Sequence, residues 1–198
     1  MSDKNTDKNT DKNKGDLLQG IVSNVTLAVE LAETTALPDR SVGLIAVAQA
    51  LHWFERKAFF ASCERVLQPG GVLAAWTYQD IVFSDDMAEA AENIRDDIDD
   101  YWPPERNDVD LGYSDYPWPF EALPAPNLWL TADWNLPQLL GYFGSLSATA
   151  CYRAATGNDP VEAHTAELAE AWGDPNTLRT LRWPLVLHLR RKPGLSEG

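Results

Sequence analysis

Leu37-Pro38-Asp39-Arg40-Ser41-Val42-Gly43-Leu44-Ile45-Ala46-Val47-Ala48-Gln49-Ala50-Leu51-His52-Trp53-Phe54, followed by Val66-Leu67-Gln68-Pro69-Gly70-Gly71-Val72-Leu73, decides the fold class of this chain. After a charged turn, residues 42–51 are apolar at nearly every position. A strand with two apolar faces is covered on both, as in a parallel sheet flanked by helices. Residues 54–67 then place Phe54, Ala58, Phe59, Ala61, Val66 and Leu67 at mostly helical spacing, and Pro69-Gly70-Gly71 stops that helix before a second apolar strand over 72–78. Strand, helix and strand in this order predict parallel pairing through a right-handed crossover. The stretch reads as the second half of an α/β domain with a mostly parallel, three-layer sheet.

Working outward, residues 3–14 repeat an Asp-Lys-Asn-Thr unit with no apolar side chain to bury, so residues 1–20 are expected to form a disordered leader. Residues 21–31 carry Ile21, Val22, Val25, Leu27, Val29 and Leu31 with β-branched bias, which predicts a strand. Downstream, 85–101 has the pattern of an acidic helix, with Met87, Ala91, Ile94 and Ile98 on one face. Residues 102–127 are dense in proline and aromatic rings, and read as an ordered excursion rather than a linker. A strand over 128–134, helices over 136–154 and 160–172, and a last strand over 184–190 complete the reading. One domain over 21–192 is expected, with a helical and aromatic lid at about 84–182 and a tail over 193–198.

Sixteen basic and 30 acidic residues give a net charge of −14, and residues 85–115 hold twelve acidic groups against Arg95 and Arg106 alone. Such a field repels polyanions, so neither nucleic acid nor an anionic membrane is an expected partner. No apolar run approaches the roughly 18 residues of a membrane span, and the N-terminus lacks the apolar core of a signal peptide, which predicts a cytoplasmic protein. Cys63 and Cys151 stand far apart with no second ligand near either, so buried, inert thiols are expected, with no metal site and no disulfide framework.

The segments 37–54 and 67–73 together resemble the class I S-adenosylmethionine-dependent methyltransferases, of the small-molecule type 11 branch. Tyr101-Trp102-Pro103-Pro104-Glu105-Arg106, Trp134-Asn135-Leu136, Leu140-Gly141-Tyr142, Tyr152-Arg153 and Ala171-Trp172-Gly173-Asp174-Pro175 are similar to trans-aconitate methyltransferase-like members. The resemblance implies a Rossmann-like fold, S-adenosylmethionine as cofactor and a small organic acceptor. It places Ala32 and Glu33 beside the adenine, and Ala48 and Gln49 beside the methionine portion at a strand's carboxyl end, where ligands of open α/β sheets sit. His52 is the ionisable group nearest that edge and the candidate proton acceptor, a capping or packing role being the alternative. Trp53, Trp102 and Tyr113 are candidate acceptor contacts, since aromatic faces attract a sulfonium cation, with plain core packing as the alternative.

Members of the family carry a glycine-rich turn and an acidic ribose ligand before this region. Here no G-x-G precedes Ile21, and Gly43 stands where the family usually has Asp. A first βαβ unit, which needs about 30 residues or more, is therefore expected to be lacking, with methyl transfer impaired. The alternatives are an interaction module, whose bare sheet edge would recruit a second copy, and a small-molecule binding protein.

Overall fold

The computed structural model describes residues 24–195. The repeat leader, Ile21, Val22 and the last three residues of the tail lie outside them.

The central pairing is the expected one. Strand β1 (Val42–Ala48) runs parallel to β2 (Leu67–Tyr78), joined by helix α1 (Arg56–Val66). Glu55 starts α1 by accepting from Lys57 N and Ala58 N, which satisfies two of the amides a helix leaves unpaired at its first turn. Pro69-Gly70-Gly71 does not precede β2 but lies within it, and Gly71 explains how. A Cβ built on Gly71 would stand 2.9 Å from the Gln68 carbonyl oxygen and 3.2 Å from that of Gly43. Only glycine lets the two backbones approach so closely, at the point where the β1–β2 register shifts between Val42 and Leu44.

Helices α2 (Asp85–Ile98) and α3 (Arg106–Asp110) follow, then strands β3 (Glu121–Leu123) and β4 (Leu128–Trp134). After them come α4 (Leu136–Ser145), α5 (Ser147–Thr156), α6 (Pro160–Trp172) and β5 (Arg179–Arg191). Strand β5 pairs antiparallel with β2 along its second half, and with β4 and β3 on its other side. Among the described residues one pairing is thus parallel and three are antiparallel, so the sheet is mixed where a mostly parallel one was expected. The cause is β5, which reverses direction and is long enough to serve three neighbours.

The expected single helix over 136–154 is two helices. Leu146 is extended, with φ −65° and ψ 140°, and the carbonyls freed at the break find side chains: Thr149 Oγ1 donates to Phe143 O at 2.8 Å and Arg153 Nη1 to Gly144 O at 3.0 Å. The expected strand over 21–31 is absent from the part described. Residues 25–31 pair with no described strand, and Val29 and Leu31 are 88% and 70% exposed. Alternating apolar residues make a strand only where a neighbour supplies the ladder.

Two apolar clusters hold the molecule. One joins α1, β1 and β2 to the aromatic excursion through Phe59, Phe60, Leu73, Tyr113 and Tyr116. The other packs α2, α4 and α6 on the first half of β5, around Trp172 and Trp183. Among the described residues no helix is long and apolar enough to cross a membrane, and no cluster of metal-ligating side chains occurs. Cys63 is buried, which pushes its thiol up to about 12, whereas Cys151 is exposed and departs from the expectation of two buried thiols.

Substituting Gly71→Ala forces the β1 and β2 backbones apart. Urea unfolding should show a loss of roughly 1–3 kcal/mol, as overpacking at an unyielding contact does, while Gly43→Ala, whose Cβ meets nothing closer than 4.0 Å, should cost far less.

Candidate active site

Strand β1 ends at Ala48, and the chain turns at once. Gln49 adopts φ 48°, in the left-handed region that a non-glycine residue rarely occupies. Its side chain holds it there: Gln49 Oε1 accepts from Thr77 Oγ1 at 2.7 Å and from Tyr78 N at 2.8 Å, while its own N–H donates to Trp76 O at 2.9 Å. The carboxyl ends of β1 and β2 are thereby cross-linked. Residues 51–53 then form one 3-10 turn that carries Leu51 into the core and leaves His52 and Trp53 at the surface of a cleft.

That cleft has a volume of about 320 Å³, and its walls include Gln49, His52, Trp53, Tyr78, Trp102 and Tyr142. His52 and Trp53 pack ring against ring at 4.8 Å. Burial lowers the pKa of His52 below the usual imidazole value; Asp108 and Glu105 pull it up in part, and Arg106 pushes it down. The ring is therefore neutral at pH 7.

The Tyr78 amide can only donate, so the Gln49 atom it meets is the carbonyl oxygen, and Thr77 must give that oxygen its hydroxyl proton. His52 Nδ1 lies 2.9 Å from the Tyr113 hydroxyl, a contact in which either group can donate according to the tautomer. In the tautomer with its proton on Nδ1, His52 Nε2 keeps its lone pair.

Tyr113, an expected acceptor contact, does not line the cleft. It is 1% exposed, lies behind His52, and burial raises its pKa. It too sits at positive φ, 58°, next to Gly112, where a Cβ would meet Val186 at 3.0 Å. Such strained non-glycine residues concentrate at functional sites. Trp53 and Trp102 do line the cleft, but one face of Trp102 is covered by the Arg106 guanidinium at 4.5 Å.

Two of the expected cofactor contacts face a second cavity. Ala32 and Ala48 line an apolar hollow of about 290 Å³ with Thr35, Leu37, Phe54 and Phe59. Ile45, Ala46, Val47 and Ala48 all touch it. Successive strand residues point to opposite faces, so a run of four lining one cavity places that cavity along the edge of β1 that pairs with no described strand. Arg65 ties down its opposite rim by donating to Thr35 O, Leu37 O and Asp39. Ser62 Oγ, also in the lining, is buried without a partner. Glu33 does not line the hollow; its carboxylate accepts from Glu55 N at 2.9 Å and so fixes the loop to the start of α1. The segment 48–54 separates the two spaces, with Ala48, Ala50 and Phe54 on one and Gln49, His52 and Trp53 on the other.

Sequence reasoning missed Thr77, Tyr78, Arg106 and Tyr142. Thr77 and Tyr78 could have been found, since the strand after a Pro-Gly-Gly turn ends there and strand ends are where such sites form.

Comparison with known proteins identifies the family. The family pattern of a methyltransferase domain matches residues 1–75. A Dictyostelium discoideum protein described as a methyltransferase is 30% identical over 177 residues, covering 85% of this chain and 67% of that protein. The structure of a protein described as a type II methyltransferase from Anaeromyxobacter dehalogenans superposes with a TM-score of 0.81 at 37% identity, over 87% of this chain and 74% of that one. The chain belongs to the class I S-adenosylmethionine-dependent methyltransferases.

Proposed function

We propose that this chain takes part in methyl transfer from S-adenosylmethionine to a small organic acceptor, with the adenosine of the donor in the hollow along β1, its sulfonium end reaching past the segment 48–54, and the acceptor in the cleft beside His52. The observation that carries this is that one short segment lines both cavities, Ala48, Ala50 and Phe54 on one and Gln49, His52 and Trp53 on the other. The apolar walls of the hollow fit a flat heterocycle, and the orphaned Ser62 hydroxyl offers a hydrogen bond to its edge. Ala32, Thr35, Leu37 and Ala48 would hold the adenosine. Bound S-adenosylmethionine supplies an electrophilic methyl carbon on a sulfonium. The chain's own part is positional: Trp53 and Tyr142 orient the acceptor, and His52 Nε2 takes a proton from it. In-line placement accounts for most of the rate in such transfers. The side-chain amide of Gln49 serves the sheet rather than the donor.

A second reading has its own observation. Strand β1 pairs with β2 alone among the described residues, and Leu44 in the strand is 60% exposed. The strand carries no charge and no proline to guard that edge, while the acidic groups concentrate in 85–115. A second copy, pairing β1 against β1, would suit it.

Calorimetric titration with S-adenosylhomocysteine separates the readings. A micromolar dissociation constant, weakened at least about tenfold in Arg65→Ala as the rim loosens, supports the methyltransferase. Absence of heat together with a dimer in sedimentation that Leu44→Lys abolishes supports the module.

The pH dependence tests the His52 assignment. Its lowered pKa places the loss of a neutral base below pH 6.5, so kcat/KM should rise along a limb under that value and be flat from pH 7 to 8. Tyr113→Phe should lower kcat by about 10²-fold with little change in KM, the size expected when a general base loses its orientation. It should also move the acid limb and the His52 ring resonances in NMR titration, which a change of packing alone would not do.

A further inference from the structure

Arg106 is the one arginine or lysine among the described residues lining the cleft, and two of its three guanidinium nitrogens are already held by carboxylates. Its Nη2 meets Asp80 Oδ1 at 2.8 Å, its Nε meets Asp110 Oδ1 at 2.7 Å, and the guanidinium plane lies over Trp102. Burial works against its charge, but Asp80 and Asp110 more than offset this and hold its pKa above the usual value. One cation answered by two carboxylates leaves the group net negative. Glu105 and Asp108 add further negative charge close enough to act on His52; Asp108 shares its charge with Arg56 at 4.0 Å and accepts from the Tyr116 hydroxyl. A carboxylate entering here meets repulsion from Asp80 and Asp110 and a guanidinium whose Nε and Nη2 are already engaged. An ammonium group meets attraction and the aromatic side chains of Trp53, Tyr78 and Tyr142 that line the cleft.

We propose that the acceptor bound in this cleft is a small amine with an apolar body, and that polycarboxylates are excluded by the Asp80–Arg106–Asp110 lock. The proposal rests on the methyl-transfer reading for the role of the amine as acceptor, but recognition of the amine stands apart from it. An ammonium nitrogen has no lone pair, so one proton must leave before it can act as a nucleophile. His52 Nε2 accepts that proton, Asp108 and Glu105 stabilise the imidazolium formed, and the proton passes on to water. The inference reverses the acid-accepting role that the resemblance to trans-aconitate methyltransferase-like proteins suggests.

The test uses the full chain and three probes of one shape: 2-phenylethylamine, 2-phenylethanol and 3-phenylpropionate. Binding is read from the indole ¹⁵N–¹H resonances of Trp53 and Trp102, without any methyl donor. At pH 7 the amine should bind at least about tenfold more tightly than the carboxylate, with the alcohol between them, and 0.5 M salt should narrow that gap. In an Asp80→Asn, Asp110→Asn double variant the freed Arg106 should reverse the order. Should that variant fail to fold, the salt response of the wild-type preference decides. Carboxylate binding equal to or tighter than amine binding, or no amine binding at all, overturns the proposal. S-adenosylhomocysteine titration keeps the two readings distinct: donor binding without amine binding sinks only the acceptor class, and amine binding without donor binding sinks only the methyl transfer.

Discussion

The functional end of the sheet depends on the Gln49 side-chain amide set between the Thr77 hydroxyl and the Tyr78 N–H. A left-handed non-glycine residue costs on the order of 1–3 kcal/mol and persists only when its surroundings hold it. Two hydrogen bonds to β2 do so here, one of them from a fully buried threonine that would otherwise be orphaned. Because Gln49 is pinned, the chain leaves β1 sharply and the next turn carries His52 and Trp53 to the cleft, while Ala48, Ala50 and Phe54 face the hollow. The same amide orders the proton of Thr77. Fold and candidate site therefore share one constraint.

Much of the fold could be read from spacing and punctuation. β1, α1 and the later part of β2 followed from apolar runs, although Pro-Gly-Gly, expected as a stop, lies inside β2, and β4 and α6 match their expected limits, α6 with Pro160 at its first position and Asp159 capping it. Elements set by tertiary partners were not legible. β3 is three residues long and exists only because β5 runs beside it. The first half of β5 was hidden because Pro184 reads as a boundary; it is tolerated since β2 pairing begins only at Leu185. At the site, His52, Trp53 and Trp102 were found from local sequence. The role of Tyr113 was not, because its partner lies 61 residues away and nothing in a tyrosine announces a left-handed backbone.

The acidic stretch also changes meaning once folded. Read as composition, it is a solvated face that discourages polyanions. In the structure many of its carboxylates have fixed partners: Asp97 bonds His164 Nε2 at 3.0 Å, joining α2 to α6, while Asp110 bonds Arg106 and Asp108 accepts from Tyr116. These bonds draw α2, α3 and the excursion toward the strand ends. Charge that looked like a property of the surface is in part the frame of the cleft.

Both readings of function converge on the outer edge of β1. The hollow assigned to the donor runs along that edge, as the four consecutive residues lining it require, and a second copy pairing there would occupy the same backbone groups. Donor and second copy are then competitors for one surface rather than independent properties of the chain. Linkage makes the competition reciprocal: whatever fills the hollow disfavours the dimer, and the dimer lowers donor affinity by the same factor. Leu44, exposed beside that edge but absent from the lining of the hollow, feels only one of the two. The segment that lines both cavities thus sits at the end of a strand to which the two readings assign mutually exclusive partners, and its geometry at Gln49 suits either reading because the Gln49 bonds run to β2.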